Sequence, residues 1–512
     1  VSAPLISDPQ AKLIGRLRLG ALFFALLGLQ FLVWNLFLPY PIHCRENADV
    51  FGALLLLQGK NPYAAAQQPA FAYLYGAVHS LIAAPLVALV GHPFQVHRAL
   101  SGLYLVLASA VLAWGMRISR VPRPLAWTGA LFFFGHLCFS LAISAKPDAL
   151  GLLLFLLTVV VPYAYGFRGW SLVVAGLAAL LAFYTKLYFV IGAPVLALYL
   201  FLFRSKARGL CFGLGFFLAL AGSIVAIDRR LPFYFSDTFF CSLRIVGHSW
   251  VHLLGVLRDY FPAGIGLVAV AVWSLVRWLR APGAFWPLRW GGFTPSAPLL
   301  RHPEIEWPSF LLLIMGAIYL LKVGPDGTGN GVDYIYHLVL PFLVWRAFIV
   351  VFVEAPSERL PLRFLTAAVY LTLVFVAVIS VVKRERNYSA QWRQVAGIMA
   401  AHHDVLQVRP FAGLAWDQGK PVYDSGQTDI FPYIFPEKAA GRALVCQQQW
   451  DGYAAGIAQK VRDKQFDAVL VFRDGTFLLP PDLLPLTYRK VESFRIRMTF
   501  MSYWVDLWEP LP

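Results

Sequence analysis

The stretch HCRENADVFGALLLLQGKNPY, residues 43–63, decides how the chain is read. It follows a long apolar run, residues 19–40, and places two acids, Glu46 and Asp49, just beyond it. Their i, i+3 spacing puts both on one face if the segment is helical. Val50, Phe51, Leu54, Leu55 and Leu57 give such a helix an apolar side suited to a membrane surface, and Gly59 and Pro62 are its stop signals. A polar loop follows any membrane span, so solvated acids account for the pair equally well.

Outward from this stretch the chain stays apolar. Its 512 residues are 59% hydrophobic and 14% charged, with mean hydropathy +0.64, whereas a soluble domain carries about 25% charged residues. Apolar runs near the length a span needs, about 20 residues, recur from residue 19 to residue 382, after which the composition becomes ordinary. The expected fold is an α-helical polytopic membrane protein of about eleven spans with a small C-terminal α/β domain. The membrane domain covers 1–383, including a first outer loop, 41–96, with surface helices; the C-terminal domain covers 384–512.

The net charge of +16 would raise nucleic acid as a partner in a soluble protein. Here the basic residues fall in short clusters between apolar runs, as the positive-inside rule requires, and nucleic-acid binding is not expected. The five cysteines, Cys44, Cys138, Cys211, Cys241 and Cys446, show no metal-ligand spacing. Cys44, Cys241 and Cys446 share one compartment in the scheme below, which leaves a disulfide open, but unpaired cysteines in apolar packing are the expectation.

Lys12, Arg16 and Arg18 precede the first run and place the N-terminus in the cytoplasm, so Glu46 and Asp49 are outside. Residues 71–91, interrupted by Gly76, His79 and Pro85, read as a second surface-lying or re-entrant helix, because a crossing would carry Arg204, Lys206 and Arg208 outside. Glu46, Lys146, Lys186, Gly327 and 388–512 then share the outer side, with Arg120, Lys206 and Glu358 on the inner one. Lys383, Arg384 and Arg386 break the charge rule once. In the C-terminal part, Gln391 to His403 and Tyr453 to Lys464 read as helices. Pro421–Asp424, Asp467–Phe472 and Phe494–Phe500 read as strands.

The pattern Asp49-Val-Phe, six residues, then Gln-Gly-Lys-Asn-Pro-Tyr63 resembles the first outer loop of GT-C superfamily integral-membrane glycosyltransferases. Within it the chain resembles the protein mannosyltransferase-like and lipid A aminoarabinose transferase-like families. Tyr75-Gly76, Gly91 and Arg98-Ala-Leu-Ser101 fit the same pattern, as do Lys146-Pro-Asp148 and Phe-Tyr-Thr-Lys186-Leu-Tyr. The glycine-rich run 324–337 resembles a Gly-x-x-x-Asn-Tyr segment before a late span, with Asp333 where Asn is common. Other readings stay open: Arg98 as a snorkelling anchor, and Asp148 as a first-turn acid favoured by the helix dipole after Pro147.

The resemblance implies a polyprenyl-phosphate-sugar donor, a glycan, lipid or protein acceptor, and surrounding membrane lipids. Asp49 stands for the catalytic base, with Glu46 assisting it or binding metal; no cofactor is certain and a divalent cation is left open. The outer face would collect Lys146, Asp148, Lys186, Arg98, Arg229, Arg230, Arg244 and Arg258, joined by Asp333, Tyr334 and His337. Cations there would neutralise a leaving phosphate while the base takes a proton from the acceptor. A bacterial inner membrane with a periplasmic or extracellular site is the expected setting. Two alternatives compete: a transporter or flippase for a lipid-linked substrate, which calls for mid-span charges and matched halves, and a non-catalytic subunit of a membrane complex.

Overall fold

In the computed structural model the described residues are 8–43, 45–63, 75–231, 234–235, 238, 250–280, 289–290, 294–297, 299–301, 306–323, 334–384, 389–407, 409–424, 442–473, 479–480, 482–498 and 502–512. The chain runs through α1 (Asp8–Leu36), α2 (Glu46–Leu57), α3 (Ala77–Val90), α4 (Pro93–Ile118), α5 (Arg123–Cys138), α6 (Asp148–Ala164), α7 (Gly169–Phe183), α8 (Gly192–Phe203) and α9 (Lys206–Arg230). It continues through α10 (Trp250–Arg280), α11 (Trp307–Ile318), α12 (Leu340–Ile349) and α13 (Arg359–Arg384). The short strands β1 (Arg289–Trp290) and β2 (Leu300–Arg301) pair antiparallel between α10 and α11.

Among the described residues, 5 helices are long and apolar enough to cross a membrane: Pro9–Leu36, Pro93–Ile118, Lys206–Arg230, Ile335–Glu354 and Arg359–Val376. Shorter apolar helices, Asp148–Ala164 and Gly169–Phe183 among them, complete the bundle. Helix α9 shows what surrounds it: Leu210, Leu214 and Phe217 are each more than 60% exposed. So large an apolar surface would be an association hazard in water and is the normal outer face of a helix in lipid. Inside the bundle α4 packs on α5 and α6, and α1 packs between α5 and α13.

The connections gather in two sets. At one end Glu46 accepts from the Ala145 N–H, Lys186 reaches Asp148, and Gly76 and Val78 donate backbone N–H groups to Thr185 and Tyr184. At the other, Trp345 donates to Ser119, Ser119 donates to Tyr163, Arg204 lies over Phe167, and Gln10 donates to the Pro356 and Ser357 carbonyls. The first set joins the loops that carry Glu46 and Lys186, and the second joins loops next to Arg120, Lys206 and Glu358.

Past α13 the chain forms α14 (Ser389–Ala401), β3 (Val405–Gln407), α15 (Ala412–Asp417), α16 (Arg442–Arg462), β4 (Ala468–Phe472), α17 (Leu483–Thr487), β5 (Tyr488–Arg497) and β6 (Ser502–Pro510). The sheet order is β3-β4-β6-β5, with β3 parallel to β4 and the other pairs antiparallel. It has its own apolar core, with Trp392, Val395, Phe411, Val461, Val469 and Val505 inside. Pro421–Asp424, expected as a strand, joins no ladder. Pro421 has no N–H to give one, and Tyr423 instead donates its hydroxyl to Asp404.

This unit sits on the segment that follows α1. Tyr40 stacks on Trp392 with ring centroids 5.3 Å apart, and Phe51 meets Trp416 edge-on at 5.3 Å. A Cβ on Gly413 would lie 2.7 Å from the Phe94 ring, so the backbone of α15 approaches α4 as closely as glycine allows. The contact corrects the expectation for α2. Val50, Phe51, Leu54 and Leu55 are buried in protein rather than laid on a membrane, and Leu57 is left 43% exposed. The helix ends where its stop signals stand, with Gly59 at φ +68.

Candidate active site

Helix α4 organises the first half of the site. Arg98, buried near its start, uses all five guanidinium protons: Nε and one Nη2 proton go to Glu46, and the others go to the carbonyls of Asn35, Leu38 and Tyr40. Glu46 in turn takes backbone N–H groups from Ile42 and Ala145, each at 2.6 Å, besides the two bonds from Arg98. Burying such a pair costs several kcal/mol per ion, which is offset when every lone pair and proton is used; here each is. One turn along α4, Ser101 donates to the carbonyl of Ser144 at 2.9 Å. Helix α4 therefore holds both the first loop and the 144–146 turn.

This geometry corrects two readings. Arg98 is 2% exposed and is not a snorkelling anchor; nor does it keep a proton with which to hold a substrate. Glu46, with four donors on its carboxylate, has no lone pair turned toward a ligand. Asp49, one turn later in α2, is buried beside it.

The second half gathers around Asp148. Pro147 stands at the N-cap of α6 and makes Asp148 the first helical residue, where the dipole favours an acid. Gly76 permits the start of α3 to reach the 184–185 turn, since a Cβ there would fall 1.9 Å from the Tyr184 carbonyl oxygen. That turn delivers Lys186, whose Nζ lies 2.7 Å from Asp148 Oδ1. Its ammonium also faces the rings of Tyr75 and Tyr188, 5.1 and 5.3 Å from their centroids. Tyr188 bonds His337 Nδ1 at 2.7 Å, and His337 Nδ1 is 3.8 Å from Asp148 Oδ1. His337 lies in a π-helical turn, Ile335–Val339, of the kind that often marks functional sites. Tyr334 packs against Tyr188 with centroids 4.7 Å apart.

What the cluster leaves open defines its chemistry. Asp148 Oδ2 and His337 Nε2 are buried with no hydrogen-bond partner among the described residues. The same holds for His79 Nδ1, His97 Nε2 and the Tyr104 hydroxyl, while His79 and His97 bond each other at 3.0 Å. Lys146 is 2% exposed, and among the described residues no ion pair reaches its ammonium. Each unmet buried polar group costs about 1–3 kcal/mol, so a layer of them is built for a polar occupant. Two cations against one acid in the cluster favour an anionic occupant.

Two expected residues do not join this cluster. Arg229 and Arg230 are exposed at the end of α9. Arg244, Asp333 and the glycine-rich run before Tyr334 lie outside the described residues, as does the side chain of Arg258 in α10. Sequence reasoning missed Tyr188, His97 and the unmet nitrogen of His79. Tyr188 stands in the quoted Thr-Lys-Leu-Tyr run, but no spacing links it to His337. Among the described residues no group of three or more His, Cys, Asp or Glu is placed to hold a metal ion.

The arrangement is that of a polytopic helical membrane protein, and the chain is an integral membrane protein. The fold is similar to that in the crystal structure of ArnT from Cupriavidus metallidurans bound to undecaprenyl phosphate. The match has a TM-score of 0.55 at 13% identity and covers 94% of this chain and 97% of that one. No protein-family model matches the chain, and no curated sequence matches it significantly.

Proposed function

We propose that the protein is a membrane glycosyltransferase using a polyprenyl-phosphate-linked sugar. The observation that carries this reading is the buried layer around Asp148, where Lys146 and Lys186 stand beside unmet polar atoms. A sugar phosphate on a lipid anchor supplies what that layer lacks: a phosphate for the ammonium groups and hydroxyls for Asp148 Oδ2 and the imidazole nitrogens. The likeness to ArnT, whose crystal structure holds undecaprenyl phosphate, supports the same donor class. The active site lies on the outer side in this reading.

Asp49 acts as the base. It takes the proton of the acceptor hydroxyl as that oxygen bonds to the anomeric carbon. The bond from carbon to phosphate oxygen breaks on the opposite face, its electron pair leaving with the lipid phosphate, and configuration inverts. Lys146 and Lys186 neutralise the leaving group. Asp148 and the Tyr188–His337 pair orient Lys186 and the sugar, and Glu46 with Arg98 fixes the loop that carries the base. Asp49→Asn keeps shape and removes basicity, so transfer from native lipid extract by the purified protein should fall about 10²- to 10⁴-fold while undecaprenyl phosphate still binds. Transfer at the wild-type rate would place the base elsewhere.

A further inference from the structure

The C-terminal sheet carries a row of side chains that the reaction above does not use. Arg473, just past β4, donates its backbone N–H to the Trp504 carbonyl at 3.0 Å, and Arg495 on β5 is the register partner of Trp504 on β6. Residues side by side across strands share a face, so Arg473, Trp504 and Arg495 form one line. The Arg473 guanidinium lies over the Trp504 ring, 4.2 Å from its centroid, and Arg495 donates to Ser502 Oγ at 2.9 Å. Beside the line Asp506 is sunk into the sheet, held by Lys490 at 2.8 Å, Ser493 at 2.7 Å and Arg473 at 3.6 Å.

The acid is thus hidden while the cations and the aromatic ring stand at the surface. The side chains of Arg473 and Lys490 are 42% and 43% exposed, and Trp504 is 44% exposed. A half-exposed indole with one guanidinium stacked over it and a second beside it in line matches a ligand with a C–H-rich face and acidic groups at its rim. The ring takes the apolar face, and the forks take carboxylate or phosphate oxygens bidentately. A bilayer is a poorer match, because surface-lying elements insert a broad apolar face, and this row offers one indole.

We propose that the Arg473–Trp504–Arg495 row binds an anionic glycan, one bearing carboxylate or phosphate groups. The site stands by itself; that its glycan is the acceptor rests on the transferase reading above.

The test is calorimetric titration of the full chain in nanodiscs of zwitterionic lipid, with an α-1,4-galacturonate hexamer as the probe and uncharged maltohexaose as the control. The galacturonate should bind and maltohexaose should not. Arg495→Glu and Trp504→Ala should each weaken binding about tenfold or more, and Trp504→Phe should retain most of it. Arg462→Glu makes the same charge change on the exposed face of α16 and should leave binding unchanged. Equal binding of the two hexamers, or an Arg462→Glu loss as large as that of Arg495→Glu, would overturn the proposal. If Trp504→Ala does not fold, the exposed Arg495→Glu variant still decides it. Sugar transfer is not read in this experiment, so its failure is distinct from failure of the transferase reading.

Discussion

Two buried acid–cation pairs stand at the same end of this molecule and are completed differently. Glu46 and Arg98 spend every lone pair and every proton on each other and on the backbone. Asp148 and Lys186 share one bond of 2.7 Å and, among the described residues, leave Asp148 Oδ2, His337 Nε2 and His79 Nδ1 unmet nearby. The two acids are equally buried, Glu46 at 0% and Asp148 at 1% exposed, while Arg98 is 2% and Lys186 17% exposed. Burial of the acid therefore does not separate a completed pair from an open one. The completeness of the hydrogen bonding does.

The largest effect that could break this comparison comes from removing one member of the completed pair. Glu46→Ala leaves the Arg98 guanidinium buried without its counter-ion, a loss of about 3–5 kcal/mol. Thermal unfolding of detergent-purified protein should show a steep fall in Tm or little folded protein at all. Should Glu46→Ala unfold like the wild type but fail in sugar transfer, Glu46 would be a catalytic acid after all.

Lys146→Met sharpens the other side. Lys146 is buried and makes no ion pair among the described residues, so its replacement removes an uncompensated buried charge and should raise the Tm of the ligand-free protein. Binding of undecaprenyl phosphate should weaken by about 1.5–3 kcal/mol, the range for a charge-assisted bond, read as a smaller rise in Tm at a fixed lipid concentration. An undiminished rise would remove Lys146 from the donor site.

The docking of the C-terminal unit on α2 and α4 gives a smaller test. In Gly413→Ala the new methyl lies 2.7 Å from the Phe94 ring and 3.2 Å from Asn47 Oδ1, an overpacking cost of about 1–3 kcal/mol. Limited proteolysis should then release the C-terminal unit sooner than in the wild type. Unchanged cleavage would mean that the interface yields without strain.

The smallest effect is on pH dependence. Burial pushes the Asp506 carboxyl up, but the Lys490 and Ser493 bonds and the Arg473 charge hold it below the usual carboxylate range. A lowered folded-state value contributes stability above the unfolded value, about pH 3.9, and that stability is lost as pH falls through the folded value. Asp506→Asn should flatten the acid side of the Tm–pH curve and leave its slope near neutrality alone.

Much of the architecture was legible because a bilayer constrains sequence so strongly. Apolar runs and breaks such as Gly59 were enough to read the membrane class and the end of α2. Asp148 after Pro147 was readable as a helix start for the same local reason. The sheet of the C-terminal unit was less legible. The three-residue β3 carries too little alternation to be seen, and Pro421–Asp424 shows strand composition without a partner strand.

The site divides in the same way. By itself the sequence determined which acids and cations lie near the spans' ends, since charge is expelled from lipid and the runs mark where lipid stops. It could not tell Glu46 from Asp148. The bonds that complete Glu46 come from Ala145 and Arg98, 99 and 52 residues away, and the Tyr188–His337 bond spans 149. Such contacts leave no period or spacing in the chain, because they arise only when separate helices pack. The tertiary structure alone decided which buried carboxylate is fully hydrogen-bonded and which, among the described residues, keeps an unmet oxygen.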